Sequence, residues 1–335
     1  MRSDRAMTAT GQTFQPHDHP SRQNWRKEDV LALARQVRTW GLWGPEDELG
    51  AANRVTADKI TQAARLVRAG KVFSMSIPLD RGGPQHGKNT RRTNPQHVML
   101  RSGSDIAAEG LHGMCATDDA VYMPLQAATQ WDALCHVFYD GKTYNNRGPE
   151  SVTSTGANRN SITNLRDRAL GRGVLLDIAR MKNRDHLDPG EAIQDHDLER
   201  CAQLQGVEVG EGDFLLVRTG HLEARRKAGI WGDYAAGPSP GLGISAANFL
   251  CQRQVTAIAT DTWGMEVLPY ESADVRCPLH VILLVNAGIY IGEIWDMEAL
   301  AADCAHDGIY DFFLTAQPLT ITGSVGSPIN PLAIK

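Results

Sequence analysis

Between residues 28 and 40 the apolar side chains Val30, Leu31, Leu33, Ala34 and Val37 recur on one side of a helical wheel. That spacing predicts an amphipathic helix running into an aromatic turn at 41–44, anchored by Trp40 and Trp43. A second helical pattern, through Ile60, Ala63, Ala64, Leu66 and Val67, starts after the capping residue Thr56 and stops at Gly70. Residues 71–79 read as a strand ending at Pro78, and 80–95, dense in Gly, Pro, Asn and basic residues, as a long loop of the kind that often carries function. Residues 173–178 and 214–219 are short apolar runs bounded by turn signals, as expected of buried strands. Helical spacing lies between them at 195–205 and after them at 245–253; the next strand-like runs are 255–260 and, after an apolar stretch at 280–285, 289–294. This alternation predicts a mixed α/β domain whose loops carry the polar site. Residues 1–24 are polar and follow neither period, which predicts a disordered arm ahead of one domain over 25–335 with an N-terminal helical extension.

Composition narrows the classes of function. The formal net charge of −5 is spread over 335 residues, with no basic stripe to neutralise phosphates, so nucleic acid is not an expected partner. No apolar run reaches the roughly 20 residues that span a bilayer, and the N-terminus lacks the apolar stretch of a signal peptide, so a cytoplasmic protein without membrane contact is expected. The six cysteines are scattered, with no Cys-x-x-Cys pair, and read as buried thiols. Cys135 lies inside the richest polar cluster, yet a nucleophile there would need a partner that lowers its pKa.

That cluster is Gln126-Ala-Ala-Thr129-Gln130-Trp131-Asp132-Ala-Leu-Cys-His136. If the segment is extended, Gln126, Gln130, Asp132 and His136 share one parity and point to one face. The bland alternative is a buried turn whose polar groups satisfy the backbone. The segment resembles the signature His-x-Gly-Thr-His-x-Asp-x-Pro-x-His of the cyclase family of metal-dependent hydrolases, which includes bacterial kynurenine formamidase and isatin hydrolase. Thr129, Asp132 and His136 match it. Gln126 and Gln130 stand where the family has its first two histidines, Ala128 replaces its glycine and Leu134 its proline. A second segment, from Pro278-Leu279-His280 to Gly292-Glu293, resembles the family's later histidine and glutamate. Trp43 to Gly50, the run ending at Asp177, Gly212-Asp213, Arg218-Thr219-Gly220 and Thr260-Asp261-Thr262 follow the family order, so the resemblance covers roughly residues 38 to 300.

The resemblance implies a swivelling β/β/α cyclase-like fold, a mixed sheet with flanking helices, assembled as a dimer or tetramer. It also implies one divalent ion on Asp132, His280 and Glu293, with Gln126 and Gln130 as further ligands, and His136 as general base. Thr129 would orient water or substrate. Trp131, Trp263 and Arg218 would contact a small aromatic or heterocyclic substrate. Amide oxygens are harder and weaker donors than imidazoles, so a single manganese or zinc ion, with magnesium also admissible, fits better than a dinuclear zinc centre. The expected reaction is hydrolysis of an amide, cyclic amide or lactone, a non-peptide carbon–nitrogen bond in the first two cases. The alternatives are a metal-independent cyclase or dehydratase, in which the glutamines hold a substrate carbonyl, and a non-catalytic small-molecule binding protein.

Overall fold

The structure, a computed structural model, describes residues 23–86, 91–110 and 112–335, with the backbone of a short pair Ala6–Met7 and Thr13–Phe14. The arm expected over residues 1–24 thus falls almost wholly outside the described residues. Eleven strands are used below: β1 Val72–Ser74, β2 Gln96–Arg101, β3 Asp118–Tyr122, β4 Gln130–Asp132, β5 Leu170–Asp177, β6 Phe214–Arg218, β7 Ala257–Thr260, β8 Tyr290–Glu293, β9 Asp311–Thr315, β10 Gly326–Pro328 and β11 Leu332–Ile334. Nine of them form one sheet in the order β10-β4-β8-β7-β6-β5-β9-β11-β1. The middle four, β5 to β8, are parallel, and every junction outside them is antiparallel. The fold is the expected mixed α/β architecture, a curled mixed sheet flanked by helices.

The parallel strands are apolar because both of their faces are covered. Residues 173–177 and all of β6, β7 and β8 are buried. The helix Lys27–Gln36 buries Val30, Leu33 and Ala34 against the segment 281–287. It ends before the predicted Trp40, because residues 39–40 turn away to make tertiary bonds: Thr39 donates its amide to Asn286 O and Trp40 its indole N–H to Val285 O. Ala57–Ala64 starts where expected, with the Thr56 hydroxyl accepting the Lys59 amide at 3.3 Å. The strand expected over 71–79 shortens to β1, because the Ile77 amide donates to the Thr129 hydroxyl at 3.0 Å instead of to a neighbouring strand.

Gly50 and Gly288 lie back to back. Each has a positive φ, and a Cβ on Gly50 would sit 2.5 Å from Gly288 O. This approach lets Ala51 donate to Gly288 O and locks the N-terminal extension onto the turn ahead of β8. The acidic motif is equally structural. Asp47 accepts from Gly50 N, Asn53 and the Tyr144 hydroxyl, while Glu48 accepts from Asn160 N, Asn164 and Arg159. Among the described residues no helix is long and apolar enough to cross a membrane.

Candidate active site

The pairing of β4 with β8 builds the site. Gln130 lies opposite Glu293, Trp131 opposite Gly292 and Asp132 opposite Ile291. Directly paired residues share a face, so Gln130, Asp132 and Glu293 project together while Trp131 points the other way. Gly292 is small for that reason: a Cβ there would meet the Trp131 and Trp295 rings. The rung itself is used, with the Gln130 amide donating to Glu293 Oε2 at 2.8 Å. His280 reaches the same face from a short helix, Pro278–His280, that continues into a π-helical turn over Val281–Ala287, an irregularity frequent at functional sites.

One ligand atom from each of Asp132, His280 and Glu293 lies within 4.8 Å of the other two. His280 Nε2 is 3.3 Å from Glu293 Oε1 and 3.8 Å from Asp132 Oδ2. Its other ring nitrogen, Nδ1, is 2.5 Å from Glu266 Oε1, which also accepts the His280 amide at 3.0 Å. Glu266 thereby fixes the ring and aims Nε2 at the two carboxylates. This is the usual arrangement behind a metal-bound histidine, whose second nitrogen is held by a carboxylate. Glu266, Cys277 and His280 form a second group of possible ligands, but His280 Nδ1 is already spent on Glu266. His136 stands at the rim with Nε2 3.7 Å from Asp132 Oδ1.

Electrostatics marks the same spot. Three buried carboxylates, Asp132, Glu266 and Glu293, surround one imidazole. Burial pushes the Asp132 carboxyl up, with the Glu293 charge adding to the rise against His136 and His280. Burial would raise Glu293 too, yet the hydrogen bond and charge of His280 hold it below its ordinary value. Burial would depress His280, but its bonds to Glu266 and Glu293 hold it well above the usual imidazole range. The Arg92 charge also favours the ionised forms of Asp132 and Glu293, and with His280 it offsets part of the three buried carboxylates; buried charge is costly unless it is paired. Asp132 Oδ1, Gln130 Oε1 and His136 Nδ1 are also buried without a hydrogen-bond partner. A divalent cation fits both the charge deficit and the oxygen-rich donor set.

The cluster floors a cavity of about 380 Å³ walled by Trp263, Val137, Leu268, Tyr270, Cys277 and the arginines 91, 92 and 276. Trp263 is thus a wall residue, with the Arg92 guanidinium over its ring at 5.3 Å. Its indole donates to Gln85 Oε1, and Gln85 donates to Ala127 O, so the 80–95 loop buckles the first motif to the aromatic wall.

Other expected site residues lie elsewhere. Only 130–132 are extended; a turn from Pro124 to Ala127 and another from Ala133 to His136 flank them, so the shared parity of Gln126, Gln130, Asp132 and His136 does not carry across the motif. Gln126 does not border the cavity. Its amide packs beside Gly326, where a Cβ would lie 2.4 Å away. Trp131 is fully buried among Trp295 and Phe214 and donates to Ala316 O, so it cannot wall the cavity. Arg218 is bound to Asp177 at 2.8 Å and Glu298 at 2.7 Å, away from the cavity. The Thr129 hydroxyl donates to Ile294 O and accepts from Ile77, a clamp between segments. Cys135 is buried, and burial pushes its thiol up to about 12, the reverse of what a nucleophile needs.

Glu266, Gln85, Arg92 and Arg276 were not singled out from the sequence. Glu266 lies four residues beyond the Thr260-Asp261-Thr262 motif; a carboxylate close to that motif was the one available signal.

Residues 73–267 match the family described as putative cyclase. The chain belongs to this family. A solved structure described as a novel cyclase is 39% identical with a TM-score of 0.83, covering 89% of this chain and 100% of that one. Isatin hydrolase A from Labrenzia aggregata, bound to benzyl benzoate, is 20% identical with a TM-score of 0.56, over 81% of this chain and 94% of its own. An isatin hydrolase bound to the product analogue thioisatinate is 17% identical with a TM-score of 0.59, over 83% and 98%. These two share the fold. No curated protein matches the chain.

Proposed function

We propose that the protein is a metal-dependent hydrolase that opens an amide, cyclic amide or lactone of a small aromatic or heterocyclic compound. The observation that carries this reading is the buried trio Asp132, His280 and Glu293 at the cavity floor, with Glu266 aiming His280 Nε2 into it. A manganese or zinc ion held there would polarise the scissile carbonyl and lower the pKa of water. His136, at the rim beside Asp132, takes the proton from the attacking water and returns it to the leaving nitrogen or oxygen. Trp263 supplies the flat wall an aromatic substrate needs, and Gln130 holds Glu293 in place. The isatin hydrolases of the same fold, which act on such a ring, support the substrate class. All six cysteines are free, which supports work in the reducing cytoplasm.

A second reading, a metal-independent lyase, is favoured by one observation: His136 lines the cavity and its Nδ1 lacks a hydrogen-bond partner, leaving that ring free to exchange a proton with a substrate. Elemental analysis of tag-free protein separates the two. The hydrolase reading expects about one equivalent of divalent metal in the wild type, none in Asp132→Ala or His280→Ala, and turnover of isatin-like lactams or aromatic lactones that a chelator stops. Metal-free protein that leaves those lactams and lactones intact, yet in the presence of a chelator eliminates water from a hydroxylated analogue or closes its ring, would establish the lyase instead.

A further inference from the structure

The charges that line the cavity are sorted by depth. Its three carboxylates, Asp132, Glu266 and Glu293, are buried at the floor, whereas among its three arginines Arg91 and Arg276 are exposed and Arg92 is half-buried. Elsewhere in the chain arginines close on carboxylates, as Arg172 does on Asp213 and Asp311 and Arg226 on Asp296. Arg91 and Arg276 make no ion pair or hydrogen bond among the described residues. Arg92 is shared between floor and rim: its charge acts on Asp132 and Glu293, while its guanidinium lies over the Trp263 ring at 5.3 Å and donates to Gln126 O at 3.4 Å.

The hydrolase reading, on which the next step rests, puts a divalent ion on the floor with His280 neutral as its ligand. Such an ion offsets two of the three carboxylates, so three arginines face one remaining negative charge. The cavity is then positive inside a chain whose net charge is −5, and a field of that sign gathers anions.

We propose that the substrate carries a carboxylate on its ring, received at the cavity mouth by Arg276 together with Arg91 and Arg92 while the ring lies against Trp263. A planar guanidinium matches a planar carboxylate through paired N–H donors. The cavity of about 380 Å³ is at the small end for ligand sites, with room for one ring and a compact substituent. Arg276 stands four residues ahead of His280, beside Cys277, whose left-handed backbone (φ 50) opens the short helix Pro278–His280. The segment that supplies the floor imidazole thus also supplies the rim charge. A substrate tethered by its acid end at the mouth presents its scissile bond to the floor in one orientation, which removes the entropy of searching for it.

Paired substrates test this: isatin, formanilide and phenyl acetate, each against its ring-carboxylated forms. The carboxylated forms are expected to be preferred about tenfold or more in kcat/KM, through KM, with the preference eroding as salt is raised. Arg276→Gln should cut that preference about fivefold, and Arg276→Lys should restore part of it. Calorimetry with benzoate and its neutral isostere benzamide gives a readout that needs no turnover. Benzoate should bind the wild type and also Asp132→Ala, where no ion is held, and its affinity should fall in Arg276→Gln. Turnover of the neutral compounds without any preference for the carboxylated ones, or a preference unmoved by Arg276→Gln, would overturn the proposal and leave the hydrolase reading intact. Tighter binding of phenyl phosphate than of benzoate would overturn the choice of a carboxylate. If none of the compounds is hydrolysed, the hydrolase reading fails and calorimetry alone decides the anion seat: benzoate binding that depends on Arg276 upholds it, and benzoate binding that is absent, or lost in Asp132→Ala, overturns it.

Discussion

Two polar clusters sit at the same end of the parallel strands, and they are built on opposite terms. At the ends of β5 and β6, Arg218 is matched at every turn: by Asp177, by both oxygens of Glu298, and by the Asp185 carbonyl. Nearby, Asp261 accepts from Thr219 N, Thr219 Oγ1 and Gly220 N, although burial still pushes its carboxyl up to about 6. At the end of β8, Glu293 joins Asp132 and Glu266 around a single imidazole, and three buried polar atoms nearby find no partner. A cluster whose charges close on themselves holds the fold together. One left short of a cation is prepared for a ligand, and the chemistry follows that shortage.

The comparison breaks most sharply at the metal trio. His280→Ala is expected to lower turnover by about 10³-fold or more, since it removes a ligand on which the reaction depends, while the variant still folds with the circular dichroism spectrum of the wild type. A variant that fails to fold would mean that His280 is structural. Arg218→Met should do the reverse, leaving metal content unchanged while costing ~3–5 kcal/mol in urea unfolding, because Asp177 and Glu298 lose their counter-charge. A fully stable Arg218→Met protein would dissolve the distinction from the other side.

Glu266→Gln sharpens it. The fold should survive, and metal affinity, read by competition with a chromogenic chelator, should weaken ~10–100-fold as His280 loses its orienting carboxylate. An unchanged affinity would reduce Glu266 to packing. The smallest effect concerns His221, buried and stacked on Tyr234 at 5.4 Å. Burial, with help from Arg225 and His186, pushes its pKa down to about 3. A depressed histidine contributes stability that is present above its unfolded pKa near 6.5 and lost as pH falls toward the folded value. Unfolding free energy should thus decline by up to about 1.4 kcal/mol per pH unit between pH 6.5 and 4, and His221→Phe should flatten that slope. A slope unchanged in the variant would assign the acid sensitivity to carboxylates.

The sequence carried much of this. Apolar runs marked β5, β6 and β7 because strands covered on both faces need no alternation. Asp132, His280 and Glu293 were legible through motif order, even though 161 residues separate Asp132 from Glu293. What escaped reading depended on tertiary pairing. The inward turn of Trp131 follows from its place opposite Gly292, the role of Glu266 from a hydrogen bond across 14 residues, and the capture of Arg218 from a helix 80 residues away. The hairpin β2–β3 left no trace because its strands lack a buried face, and without burial there is no period to detect.

The rung between Gln130 and Glu293 has an evolutionary side. Glutamine and histidine codons differ only in their third base, so one transversion exchanges an amide that steadies a carboxylate for an imidazole able to grip an ion. Because the strand register holds position 130 against Glu293 whichever residue stands there, a lineage could cross between these two site chemistries in one mutational step without rebuilding the sheet.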